Sequence, residues 1–206
     1  MITQTQTTQS ALTPTEALHM LKEGNARFVH NRREDRNLLE QVSITAAGQY
    51  PLGIVLACVD SRVPPELVFD QGIGDIFSAR IAGNFVNDDI LGSMEFACKV
   101  AGAKVIVVLG HSKCGAVMGA CDDVNLGNLT GMLSKLKPAV QAVPAPAGGP
   151  SSQDAGFVQL VAEKNVELSI NAIKERSPLL NEMLENGEIA LVGAMYDVDT
   201  GEVRFY

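Results

Sequence analysis

Two runs, GIVLAC (53–58) and KVIVVLG (104–110), constrain the fold more than anything else in the chain. Each is strand length and, Lys104 apart, lacks the polar residue at every second position that a half-wet strand shows. Continuous apolar character demands cover on both faces, as in the core of a parallel sheet. Parallel neighbours need long crossovers, usually helical. The intervening segments supply them: 88 to about 101 puts Ile90, Leu91, Met94 and Ala97 on one stripe, and about 154–175 offers Phe157, Leu160, Val161, Val166, Leu168 and Ile170 for burial. DIFSARI (75–81) reads as a further strand. IALVGAMYDV, a turn at Asp199-Thr200-Gly201 and EVRFY form a terminal hairpin. Further helices are predicted over about 37–47, from Cys114-Gly115, over about 129–142 and over 179–186, with a loop at 144–153. The fold class is therefore α/β, a single domain with a central mostly parallel sheet, an antiparallel edge strand, flanking helices and an N-terminal helical arm.

Thr13-Pro14-Thr15-Glu16 supplies an N-cap, a first-turn proline and a capping-box glutamate, opening a helix that runs to about Asn31. The chain thus divides into a tail and helical arm (1–34) and an α/β domain (35–206). Residues 1–12 are expected to fray, and the charge run RREDR (32–36) to lie in solvent. The opening MITQTQTTQSALT has no basic residue and no apolar run, so a cytoplasmic protein without a leader is expected. A net charge of −8 excludes nucleic acid and anionic membrane as partners, since both need a basic face. Of the four cysteines, Cys98 and Cys121 fall on apolar stripes and are expected in the core as free thiols.

In open parallel sheets, sites form beyond the carboxyl ends of strands. The first apolar run ends in Cys58 and the second leads into His111, with Cys114 one turn later. Two thiols and an imidazole suit zinc, and a set of three leaves a fourth position open, as in catalytic rather than structural sites. Asp60 and Arg62 follow Cys58 at alternate positions. They are either an ordinary ion pair at a strand end or a charge switch beside a metal, in which a bidentate guanidinium keeps the carboxylate off the fourth position. The second reading is taken because a three-ligand set lies beside them. His19 and His30 lie on the first helix and are expected to be structural. A phosphatase-like role for Cys58 fails, because only three residues separate it from Arg62 and Asp60 would repel phosphate. Neither a dinucleotide fingerprint around Gly72 and Gly74 nor a P-loop is complete.

At Cys-x-Asp-Ser-Arg (58–62), Arg80-Ile81-Ala82-Gly83-Asn84 and His-x-x-Cys-Gly (111–115), and on through the terminal hairpin, the chain resembles the β-class carbonic anhydrases. The resemblance covers about 35–206. It implies one Zn2+ per subunit on Cys58, His111 and Cys114, with Asp60 and Arg62 as the catalytic dyad. It also implies reversible hydration of CO2 to bicarbonate and a proton by a zinc-bound hydroxide. Gln49 matches the glutamine that bonds bicarbonate, and Phe77 a pocket aromatic. Phe96 stands where many members carry tyrosine, and Ala82 where they carry a larger aliphatic residue. Glutamine and aromatics reach across from a neighbouring subunit in the family, so a homodimer or tetramer is implied, with the N-terminal helix wrapping its partner. Some members carry an inhibitory bicarbonate site with a tryptophan three residues before the first zinc cysteine. Val55 stands there, and that regulation is expected to be absent. The alternatives are a related zinc hydrolase acting on CS2 or COS, a thiol redox sensor, and a non-catalytic protein on the same fold.

Overall fold

The computed structural model describes residues 3–206. Among these, β1 (Gly53–Ala57), β2 (Ile76–Arg80), β3 (Val105–His111), β4 (Ala190–Tyr196) and β5 (Val203–Phe205) form a sheet in the order β2-β1-β3-β4-β5. The first four are parallel and β5 runs antiparallel to β4, closing one edge as the terminal hairpin requires. β1 and β3, the two apolar runs, pair with each other at the centre and are buried at every position.

The two parities of each run face different layers. Ile54, Leu56, Ile106 and Val108 belong to one core, which holds α5 (Asp88–Glu95), α6 (Gly115–Cys121), α8 (Lys137–Ala142), α9 (Ala155–Arg176) and α10 (Pro178–Glu185). Val55, Ala57, Val107 and Leu109 belong to the other, under α2 (Pro14–Val29) and the short α4 (Pro65–Val68). Cys98 and Cys121 are buried in the first core as free thiols.

Thr13 caps α2 through the reciprocal bonds of a capping box with Glu16. Ala17 and Leu21 are fully buried against the chain's own sheet. Gly24 permits this approach, since a Cβ there would lie 1.8 Å from Phe69 O. Asn25 completes the dock, donating to Val68 O and Gly201 O and accepting from Val203 N. The apolar stripe expected to wrap a partner is thus covered within its own chain.

Four local expectations are corrected. Among residues 3–12 the chain does not fray: Thr5 caps α1 (Gln6–Ala11), and buried Gln9 donates from Nε2 to Pro51 O (2.7 Å) and Ala101 O (2.8 Å). The helix expected over 129–142 is two, α7 (Gly127–Leu133) and α8, because Pro138 has no N–H with which to continue the ladder. The helix from 88 passes into a π-helical turn at Phe96–Val100. Finally, the side chain of Arg36 in the charge run is only 7% exposed: it donates to Asp70 Oδ1 (2.5 Å), while Arg27 holds Oδ2 of the same carboxylate (2.6 Å). α3 (Leu38–Thr45) follows, capped by Asn37.

Candidate metal centre

β1 ends one residue before Cys58, β3 ends in His111, and Cys114 caps the N-terminus of α6. Because β1 and β3 are adjacent and in register, their carboxyl ends open on one crevice. The Cys58 and Cys114 sulfurs and the His111 ring nitrogen lie within 4.8 Å of one another, all three residues buried. His111 Nδ1 lies 2.9 Å from Ser112 O, a contact that needs a proton on Nδ1 and leaves the Nε2 lone pair free. Nε2 is buried with no hydrogen-bond partner. A buried acceptor without a partner beside two sulfurs is a donor set that suits a zinc-type cation.

The thiols divide one proton unequally. Cys58 is drawn far below the ordinary thiol range, chiefly by a hydrogen bond from Cys114, against the opposing effect of burial. The Gly83 N–H, 3.3 Å from Sγ, acts in the same direction. Cys114 is pushed up by the same bond and by its own burial. A metal ion held by both sulfurs would take the place of that shared proton.

Asp60 stands beside this set without joining it. Its Oδ2 is 4.0 Å from His111 Nε2. Arg62 holds both carboxylate oxygens, from Nε (2.9 Å) and Nη2 (2.8 Å), and its backbone N–H adds a third bond (3.0 Å). That grip lowers the Asp60 pKa to about 2 in spite of partial burial. Arg62 Nη2 also reaches Lys113 O (3.3 Å), in the turn that presents Cys114.

The segment 80–84 was matched as a motif, but what its residues do, and their partners on α9, escaped the reading of the sequence. Arg80, at the end of β2, donates to Cys58 O (2.9 Å) and Asp60 O (2.6 Å), pinning the backbone on either side of Val59. Gly83 and Asn84 both have positive φ, and their carbonyls accept from Asn165 and Ser169 of α9. The signal was present: Asn165 and Ser169 are polar positions four apart on the stripe of Val158, Val161 and Ile173. Ser112 Oγ accepts from Val198 N and ties the His111 turn to the terminal hairpin.

Of the remaining pocket positions, only Ala82 lies beside the same chain's sulfurs, next to the Gly83 N–H that bonds Cys58 Sγ. Gln49 is exposed and precedes β1, whereas Cys58 follows it, so the two flank a strand about 17 Å long. Phe77 pairs with Ile54 at the far end of β1 and meets Phe96 edge-on, ring centroids 6.1 Å apart. Both rings line a groove of about 720 Å³ between β2 and α5. Ala82 sits half-buried in the turn before Gly83.

A family model described as carbonic anhydrase matches residues 53–203, which include all three candidate ligands and the Asp–Arg pair. Carbonic anhydrase 2 of Mycobacterium tuberculosis is 37% identical over 190 residues, covering 91% of this chain and 90% of the relative. The carbonic anhydrase of Mycolicibacterium smegmatis is 36% identical over 198 residues, covering 93% and 92%. Among solved structures, a β-carbonic anhydrase of Aspergillus fumigatus superposes with a TM-score of 0.69 at 29% identity, covering 93% of this chain and 89% of that one. Buried Cys–His–Cys ligands at two strand ends, a carboxylate withheld by arginine, and these matches lead to one conclusion: the chain belongs to the β-class carbonic anhydrase family.

Proposed function

We propose that this protein catalyses the reversible hydration of carbon dioxide to bicarbonate and a proton, with one zinc ion per chain on Cys58, His111 and Cys114. The observation that carries the reading is the free, buried Nε2 of His111 facing two thiols while the nearest carboxylate is engaged elsewhere. Zinc, when bound, supplies Lewis acidity that makes water nucleophilic near neutral pH. The chain's own groups do the rest. Asp60, ionised and acceptor-only, takes the hydrogen bond of a water placed against the ligand set and so turns the oxygen's lone pair toward substrate. Arg62 holds that carboxylate in place and away from the cation. Cys114 and Cys58, ionised, offset the cation's charge.

CO2 has no dipole and needs apolar walls, and the bicarbonate product needs a donor. We assign one wall to Ala82 of the same chain, the other walls to Phe77 and Phe96 and the donor to Gln49, these last three contributed by a second copy. The placement of Gln49 and Cys58 on either side of β1 within one chain supports this. So do the exposed apolar residues of α3, with Leu39 82% and Leu38 53% accessible, and Phe96 at 49%. A homodimer is the smallest unit with a complete pocket, and a tetramer is a pair of them. Among the described residues no helix is long and apolar enough to cross a membrane. The free thiols suit the reducing cytoplasm, where we place the protein.

The test is metal analysis joined to complementation. Purified protein should carry about one zinc per chain and hydrate CO2. Cys58→Ser and Gln49→Ala, each nearly inactive alone, should regain activity when unfolded and refolded together, because mixed dimers contain one intact site. A metal-free preparation with full activity contradicts the zinc assignment, and no recovery on mixing contradicts the shared pocket.

A further inference from the structure

Asn165 lies in the middle of α9, 3% exposed, far along the chain from every candidate ligand. A buried side-chain amide is costly unless it is bonded, and the contact it makes is specific: Nδ2 donates to Gly83 O at 2.7 Å. The turn it grips would not hold its shape unaided. Gly83 has φ +82° and Asn84 φ +40°, two successive residues in the left-handed region, the second of them carrying a side chain. The Gly83 N–H then points at Cys58 Sγ, 3.3 Å away. Glycine is favoured at 83 because its φ of +82° strains any side chain, and a Cβ would also crowd Leu136 Cδ1 at 2.7 Å.

We infer that Asn165 is a positioning residue for the metal centre, clamping Gly83 so that its N–H stays on the Cys58 sulfur. This rests on the assignment of Cys58 as a metal ligand. An N–H bond to a ligating thiolate fixes the sulfur's direction and draws charge from it, leaving the cation the more electrophilic. The helix that covers the sheet thereby sets the properties of a ligand with which it has no direct bond.

The experiment uses full-length protein loaded with spin-active cadmium, which takes the same ligands as zinc. In the wild type, a proton–cadmium correlation spectrum should show the Gly83 amide coupled to the metal through Cys58 Sγ. Asn165→Asp is of nearly the same size but puts an oxygen where the donor was; it should weaken or abolish that cross-peak. Zinc should also be lost to a chromophoric chelator about 10-fold more readily, the usual scale for removing such support. Ser169→Ala, which loses only a 3.4 Å contact to Asn84 O, should keep the cross-peak. A cadmium-loaded wild type without the Gly83 cross-peak overturns the inference whether or not any variant folds, as does an Asn165→Asp spectrum identical to wild type. Failure of the zinc protein to hydrate CO2 would instead overturn the proposed function, and the cross-peak would still report on the clamp.

Discussion

The Asp60–Arg62 pair is the residue-scale device on which the site turns. Arg62 lowers the Asp60 pKa to about 2, below the ordinary aspartate value of about 3.9. A depressed carboxylate stabilises the fold above its ordinary pKa and loses that contribution as pH falls through its folded value. Asp60 should therefore show no titration step near pH 4 by carboxyl carbon NMR, and Arg62→Ala should bring one back; an ordinary step in the wild type would show that the fork does not hold in solution. The same variant, and Asp60→Ala, should lower CO2 hydration by about a hundredfold or more while leaving zinc bound, since neither is a ligand. Wild-type turnover in either would return the pair to a structural role. The residue types and their spacing made the Asp60–Arg62 pairing legible in advance. Which state the carboxylate occupies was not, because the choice between arginine and metal depends on distances: three bonds to Arg62 against 4.0 Å to His111 Nε2.

At the scale of elements, the sequence exposed whatever its periodicity records and concealed what rests on single polar bonds. β1 and β3 were plain because both parities are apolar, and α2 because Thr13, Pro14 and Glu16 mark its start. α1 was missed because its polar composition carries no stripe; one amide, Gln9, anchors it. Gln9→Ala removes two bonds to backbone carbonyls that become buried acceptors without partners, and should cost about 1–3 kcal/mol in chemical denaturation. An unchanged midpoint would show that α1 is held by something else. The segment 80–84 was recognised as a motif but its work was hidden, since Arg80, Gly83 and Asn165 meet only in three dimensions. Gly83→Ala should be destabilising by about 1–3 kcal/mol from backbone strain alone. Leu136→Ala, which removes the side chain a Cβ would strike, should not rescue it, because the φ of +82° persists. Rescue would assign the whole effect to crowding.

For the whole molecule, the sheet gathers the candidate metal ligands at one end and leaves Gln49, Phe77 and Phe96 toward the other, which is why the proposed pocket draws on two chains. The resemblance to the family implied that division in advance; strand direction and length give it a physical reason in this chain. The account accordingly ties activity to assembly: a charge placed on the apolar face of α3, as in Leu39→Asp, should shift the protein toward monomer in sedimentation, with activity falling in parallel and zinc retained. A fully active monomer would show that one chain suffices. The central claim, zinc-dependent hydration of CO2, meets its most direct test in stopped-flow measurement of proton release from CO2. Wild-type protein should be active as isolated, lose activity on removal of zinc by a chelator, and regain it when one equivalent is restored. Activity that survives complete removal of the metal, or its absence from the zinc-replete protein, would contradict the account.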